Sequence, residues 1–394
     1  MPPKNSLKLL KTFKSAHNWL LNLDKLRPPV YSPDKIRAFL QSIGNPQNKY
    51  KVVHVGGTSG KGSVCAMLSA ILIAAGYKVG LTVSPYLFSP CEKIQINGQH
   101  IPESDFIKLV NKFKLEIIKY GLTYFESFIA LTLIYFQQQK VNYAVVEVGM
   151  GGRLDATNIF SNPVLVIITN IGLDHTDRLG DTKQKIAKEK AAIIKDSRKA
   201  ITGSKLIKQA KYIDVRNARV RSQQVKTNLL GEFQTQNAVL ATAAARRLKI
   251  PDKYIKQGLM YVKHPGRFEI IKKQPLIIRD GAHNPDKMRA FASSLKSFLP
   301  PRINSGVKKY LLVAIKSTKD YKTILKIITP QFDEIVFTSF DKSHDPKILQ
   351  AFVPQAKVIA QPKKAYKYIL NQLQKNDILV VTGSLYLMGE IWDR

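Results

Sequence analysis

Val55-Gly56-Gly57-Thr58-Ser59-Gly60-Lys61-Gly62-Ser63 lies between the apolar, β-branched Val52, Val53 and Val55 and an Ala-rich run from Ser63 to Ala75. The flanks read as a buried strand and a helix, the order that a phosphate-binding loop requires. Glycines let backbone N–H groups converge on phosphate oxygens, the helix adds the positive end of its dipole, and a lysine meets the terminal phosphates. The spacing departs from the usual G-x-x-x-x-G-K-[ST]: Val55 stands where the first glycine is expected, and Gly62 separates Lys61 from Ser63. The stretch is expected to bind phosphate through Gly57, Thr58, Ser59, Gly60, Lys61, Gly62 and Ser63.

Outward from this loop, segment types alternate. Strand-like runs at Val52–Val55, Val79–Val83, Tyr143–Val148, Leu165–Thr169 and Ala200–Thr202 are separated by helical patterns at Asp105–Tyr120, Ser127–Gln138 and Lys183–Ile194. An Ala-rich helix is expected over Gln236–Lys249. Such alternation predicts an α/β fold with a mainly parallel sheet covered on both faces. His264-Pro265-Gly266-Arg267 stops a helix and begins a turn. The alternation then resumes with strands at Leu276–Arg279, Tyr310–Ala314, Ile335–Phe337 and Ile378–Val381 and helices at Pro285–Phe298, Tyr321–Ile328 and Lys364–Gln374. The expected organisation is a P-loop-containing domain over residues 1–264 and a smaller Rossmann-like α/β domain over 265–394.

At 394 residues the chain is too long for one ordinary core. Its longest apolar stretches fall short of the roughly 18 residues that a membrane span needs, so no membrane partner is expected. Cys65 and Cys91 form no disulfide framework or metal-ligand spacing, which fits a reducing cytoplasm. The formal charge of +34, from 62 Lys+Arg against 28 Asp+Glu, would attract polyanions. The lysines are spread along the whole chain and are not interleaved with aromatics, which argues against a dedicated nucleic-acid role. The first 23 residues, with Lys4, Lys8, Lys11 and Lys14 beside Leu and Phe, read as an amphipathic first helix.

In open parallel sheets, ligands bind outside the carboxyl ends of the strands. Ser84-Pro85-Tyr86, the run from Glu147 to Asp155 (EVGMGGRLD) and Asn170 to His175 each follow a strand. Magnesium prefers oxygen ligands and keeps several waters, so one carboxylate and one or two hydroxyls suffice. Glu147, Ser84 and Ser63 are therefore candidate metal ligands. Asp174-His175 and Asp280-Gly281-Ala282-His283-Asn284, read alone, are equally a helix cap and a turn.

Together these residues resemble the ATP-dependent Mur-type amide ligases, and within them the folylpolyglutamate synthase/dihydrofolate synthase branch. The resemblance runs along nearly the whole chain: Ile43–Gln47, the phosphate loop, Ser84-Pro85, Glu147–Asn158 (EVGMGGRLDATN), Asn170–His175, Leu179–Thr182, Ile186–Lys190, Pro265–Arg267, Asp280–Asn284 and Gly383–Tyr386. It implies that a substrate carboxylate attacks the γ-phosphate of ATP, and that the amine of L-glutamate then displaces phosphate from the acyl phosphate. Dihydropteroate, a folate or both would be the acceptor. By this resemblance Lys61 and the loop amides hold the phosphates, Ser84 and Glu147 hold one Mg²⁺, and Glu147 and His175 flank a second. Lys190 matches a position that is often carbamylated. Asn237, Arg267, Asp280 and His283 match nucleotide contacts, which implies ATP between two domains that close about His264–Arg267. A monomer is the family-level expectation.

The chain departs from the family pattern at Ser59, usually asparagine, at Tyr86, usually histidine, and at Lys93, usually arginine. Tyr86, expected near the acceptor, is the motive for an alternative: a Mur-type ligase acting on a different carboxylate. A nucleotide- or RNA-binding protein without catalysis is a further alternative, weakened by the joint presence of Lys61, Ser84, Glu147, His175, Lys190 and Asp280. Ala314–Asp320 is a loose version of the family's second-domain loop.

Overall fold

The computed structural model describes residues 9–26, 32–216, 219–220, 223–299 and 306–392. By backbone contacts the chain forms two compact units, one of Met1–Lys226 with Asn237–Val262 and one of Thr227–Gln236 with Lys263–Arg394.

The first unit is built on an eight-stranded sheet. Its strands in chain order are β1 (Lys51–Gly56), β2 (Val79–Thr82), β3 (Gln95–Ile96), β4 (Gln99–His100), β5 (Tyr143–Glu147), β6 (Leu165–Ile168), β7 (Ala200–Thr202) and β8 (Lys211–Tyr212), arranged β4-β3-β2-β5-β1-β6-β7-β8. Six strands run parallel, and the β3–β4 hairpin pairs antiparallel at one edge. The central strands are buried along nearly their whole length, as expected where helices cover both faces. The β3–β4 hairpin was not among the expected strands. Asn97 and Gly98 at its tip both adopt positive φ, so the Asn-Gly pair was the signal for it.

Five helices of this unit matter for the site: α1 (Phe13–Leu26), α2 (Asp34–Ser42), α3 (Lys61–Ala74), α4 (Glu103–Tyr120) and α5 (Tyr124–Gln138). Helices α1, α2, α4 and α5 bury Leu20, Phe39, Phe106, Phe128 and Phe136 with Val52, Ala144 and Val146 of the sheet. The first helix thus begins at Phe13, and Lys4 and Lys8 lie outside the described residues. Helix α5 starts three residues before the expected Ser127, because Thr123 and Glu126 form a reciprocal capping box. Beyond β6 come the short α6 (Thr176–Leu179) and α7 (Lys183–Ala191), then α8 (Glu232–Arg247) and α9 (Asp252–Tyr261). Gly258 of α9 lets that helix reach the Ile71 backbone of α3, where a Cβ would come within 2.4 Å.

The division between the units runs through α8. In the second unit, β9 (Glu269–Lys273), β10 (Leu276–Asp280), β11 (Lys309–Val313), β12 (Glu334–Phe337), β13 (Lys357–Val358) and β14 (Ile378–Thr382) form one sheet in the order β9-β10-β14-β11-β12-β13. Only β9 is antiparallel to its neighbour. Its strands carry apolar side chains on both faces, with Ile278, Leu311 and Phe337 in one cluster and Leu312, Val336 and Val381 in another. Among the described residues no helix is long and apolar enough to cross a membrane.

Candidate active site

Register brings the candidate residues of the first unit to one edge. Val55 of β1 pairs with Glu147 of β5, and Gly56 pairs with Ile168 of β6, so the phosphate loop, the Glu147 turn and the Thr169-Asn170 turn leave the sheet side by side. The loop is tied to the last of these. Thr58 N–H donates to the Asn170 carbonyl at 2.9 Å, Ser59 N–H to Asn170 Oδ1 at 2.8 Å, and the Thr169 hydroxyl to the Ser59 carbonyl at 2.6 Å. Gly57 has φ +135 and packs so tightly on Thr169 that a Cβ would lie 1.9 Å from Oγ1. Gly60 has φ +80, and a Cβ there would lie 2.3 Å from Asn237 Oδ1, which places Asn237 beside the loop.

Helix α3 begins immediately after Gly60, which supplies no side-chain cap. Helices α5, α7 and α10 (Pro285–Phe298) are capped by Thr123, Thr182 and Asn284. An uncapped first turn presents its N–H groups to an anion, the arrangement in which phosphate itself acts as the cap. The Lys61 ammonium folds back over the loop and donates to the Gly57 carbonyl at 3.1 Å. Ser63 is buried in the first turn of α3.

Glu147 is buried, and its Oε2 accepts the Ser84 N–H at 2.8 Å. Burial raises the Cys65 thiol well above its ordinary pKa; Glu147 adds to this and Lys61 opposes it, so all three share one neighbourhood. Lys190 is 5% exposed, and burial first, then the Lys61 charge, lower its pKa to about 7 against the opposing pull of Asp174, Asp155 and Glu189. His175 differs. Its backbone is left-handed at φ 51, its side chain is 45% exposed, and its Nε2 stands 4.0 Å from Asp174 Oδ1. Among the described residues no three His, Cys, Asp or Glu side chains cluster to hold a metal by themselves. The donors at hand are hydroxyls and one carboxylate, which fits a hard cation completed by water and phosphate oxygens.

The turn after Glu147 borders a cavity of about 650 Å³ whose lining includes Ser84, Thr123, Phe125, Gly149, Met150 and Asp155. Arg153 and Arg178 also line it. Gly149 is required by the wall itself, since a Cβ there would sit 2.5 Å from Phe125 Cζ. Asp155 is buried and organises the turn: Oδ2 accepts Met150 N–H at 2.8 Å, and Oδ1 accepts both the N–H and the hydroxyl of Thr157, at 2.9 and 2.6 Å. Tyr86 is half-buried and is not among the residues lining this cavity.

Lys93 has a role the sequence did not announce. It is 5% exposed, with Nζ 3.8 Å from the Phe128 ring centroid, 4.9 Å from that of Tyr124 and 5.7 Å from that of Phe125, and burial lowers its pKa to about 7. The aromatic spacing at 124, 125 and 128, one helical face, was the available signal.

In the second unit, Asp280 at the end of β10 is buried; its Oδ2 accepts Phe268 N–H and its Oδ1 Ala282 N–H, each at 2.8 Å. Burial raises its pKa, with Arg267 the main opposing charge. His283 places Nδ1 2.7 Å from the Gly281 carbonyl and Nε2 3.0 Å from Lys287 Nζ, so Nδ1 carries the proton and Nε2 accepts. Burial and the charges of Lys287 and Arg267 hold this imidazole neutral. Arg267, Asp280 and His283 therefore share one cluster within this unit.

The Mur ligase middle domain matches residues 55–210, and the Mur ligase glutamate ligase domain matches residues 266–385. A Bacillus subtilis dihydrofolate synthase/folylpolyglutamate synthase is 30% identical, covering 98% of this chain and 100% of that protein. The chain belongs to the folylpolyglutamate synthase/dihydrofolate synthase family of Mur-type ligases. Among solved members of this family, Escherichia coli FolC in complex with DHPP and ADP superposes with a TM-score of 0.83 at 26% identity, covering 97% of both chains. The Yersinia pestis bifunctional enzyme complexed with AMPPNP and Mn ion gives a TM-score of 0.85 at 28% identity, again covering 97% of both chains. The family's two-domain α/β architecture is the one described here.

Proposed function

We propose that the protein is an ATP-dependent ligase that adds L-glutamate to dihydropteroate, to a (tetrahydro)folate, or to both, releasing ADP and phosphate. The observation that carries this reading is the cavity, which shares Ser84 with the candidate metal ligands and is walled by the turn directly behind Glu147. Its volume suits a fused aromatic ring, and Phe125 gives that ring an apolar partner.

In this reading the acceptor carboxylate attacks the γ-phosphorus of ATP, breaking its bond to the β–γ bridging oxygen and yielding an acyl phosphate and ADP. The amine of glutamate then attacks the acyl carbon, phosphate leaves, and the amine gives up a proton. Lys61, Gly62 and Ser63 with the amides of Gly57 and Gly60 hold the phosphates, assisted by Asn237, while the Thr58 and Ser59 N–H groups stay on Asn170 and keep those two residues in the shape of the cradle. Ser63, Ser84, Glu147 and His175 are the residues that would hold Mg²⁺, at two sites. Bound there, Mg²⁺ supplies positive charge that offsets the negative charge developing on the phosphates. Lys190, with a pKa near 7, is largely a neutral amine in mildly alkaline solution, the form that adds carbon dioxide to become a carbamate. On the second unit, we assign Arg267, Asp280 and His283 to the nucleotide.

We take residues 1–264 as the nucleotide and folate portion and 265–394 as the glutamate-ligase portion, acting in the cytoplasm as a monomer. The test is phosphate release from Mg-ATP and L-glutamate with dihydropteroate, with tetrahydrofolate and with no acceptor, followed by mass spectrometry. A product heavier by one glutamyl residue on either pterin supports the assignment. Turnover that ignores the acceptor would overturn it.

A further inference from the structure

His54 occupies the middle of β1, 1% exposed, where a polar ring is costly unless its nitrogens are engaged. Its Nε2 lies 2.8 Å from Thr157 Oγ1. That hydroxyl lies 2.6 Å from Asp155 Oδ1, which also accepts the Thr157 N–H, so this oxygen acts as an acceptor. A hydroxyl has one hydrogen to give. Burial raises the Asp155 pKa, while the Thr157 hydroxyl and the N–H groups of Met150, Thr157 and Gly149 oppose that shift. With Asp155 ionised, Thr157 gives its hydrogen to Asp155, its oxygen accepts from His54, and His54 Nε2 carries the proton. The opposite tautomer would draw the Thr157 hydrogen to itself and leave Asp155 one donor short. Burial, with the Lys195 charge adding, lowers the His54 pKa to about 3, so the ring is a neutral, single donor. The edge-on Phe160 ring, 5.2 Å away between centroids, fixes its plane.

The relay ends in the cavity wall. The other oxygen of Asp155 accepts Met150 N–H at 2.8 Å, so the chain His54–Thr157–Asp155–Met150 crosses from the sheet interior to the glycine-rich turn. Asp155, Met150 and Gly149 all line the cavity. Nothing in the phosphate loop takes part, because that loop is tied to Thr169 and Asn170 instead.

We propose that His54 is a positioning residue for the acceptor substrate: as an Nε2 donor it orients the Thr157 hydroxyl, which holds Asp155 and thereby the turn that shapes the acceptor cavity. The proposal rests on the ligase reading above, in which that cavity takes the acceptor.

The test compares His54→Phe, His54→Gln, Thr157→Val and Thr157→Ser in the full-length enzyme. Glutamine can still donate to Thr157, and serine keeps the hydroxyl. The expected result is a rise of about tenfold or more in acceptor KM for the phenylalanine and valine variants, with ATP KM unchanged and near wild-type values for the glutamine and serine variants. Equal damage from glutamine and phenylalanine, or parallel shifts in the ATP and acceptor KM, would reduce His54 to a packing residue. Ring ¹⁵N shifts of His54 in the wild-type protein decide the matter without catalysis. A proton on Nε2 is expected, and one on Nδ1 would overturn the relay even if the substituted chains fail to fold. Absence of acceptor-dependent turnover in the wild type would instead sink the ligase reading and leave the tautomer result standing.

Discussion

Two glycine-rich segments leave neighbouring strands of the first sheet, and they spend their backbone N–H groups in opposite ways. The loop Gly57–Ser63 after β1 ties down only its first residues and then enters a helix with no side-chain cap, which leaves the N–H groups of the first turn for an anion. The turn Gly149–Gly152 after β5 is held from within, its Met150 N–H donated to the buried Asp155. Similar composition thus makes a ligand-binding cradle in one case and a preformed wall in the other. The difference lies in the nearest buried carboxylate: the turn carries its own anion, whereas the cradle awaits one.

Glu147 belongs to both regions, so its loss should have the largest effect. Glu147→Ala is expected to lower ATP turnover by about a thousandfold or more while the protein stays folded, read by phosphate release and thermal unfolding. Unchanged turnover would remove Glu147 from the metal set.

Alanine at one glycine of each segment separates the two roles. Gly60→Ala sets a Cβ at φ +80 and against Asn237, and should raise ATP KM by about tenfold to a hundredfold with little change for the acceptor. Gly149→Ala pushes on Phe125 and should move the acceptor KM instead. If both variants shift the same substrate constant, the division of labour fails.

The smallest effect concerns the wall's support. Lys93, packed on Phe125 and Phe128, has a folded pKa near 7 against an ordinary 10.5. Below about pH 7 both folded and unfolded chains hold the proton, and the folded state bears the full cost of the buried cation. Between about pH 7 and 10.5 only the unfolded chain holds it, so stability from this group rises with pH. Lys93→Met is therefore expected to stabilise the protein by about 1–2 kcal/mol at pH 6, net of the lost cation–π contacts, with a gain that shrinks toward pH 10. Denaturant titrations at the two pH values check this.

The sheet, the phosphate loop and Glu147 were legible because their signals are local: β-branched runs of four or five residues, glycines at fixed spacing and a carboxylate ending a strand. Helix starts were displaced where a cap, such as Thr123 with Glu126, outweighs hydrophobic periodicity. His54 is hidden within a run of valines, since its partner Thr157 lies more than a hundred residues away. Nothing local marks Lys93 as a lysine that folds against three aromatic rings. Tyr86 does not line the cavity, whereas Phe125 and Gly149 do, and their place there depends on contacts between α5 and the turn after β5 that no local pattern marks.

The order of strands also bears on how the chain assembles. Strand β1 is central, yet its neighbours are supplied by residues as distant as Glu147 and Ile168. Long loops must close before the middle of the sheet exists, which makes folding slow for a chain of this size. The Thr169-Asn170 clasp on the phosphate loop needs β6 in place, so a nucleotide held by the clasped loop would bind the assembled sheet and not the open chain. Added nucleotide would then stabilise the finished sheet by mass action.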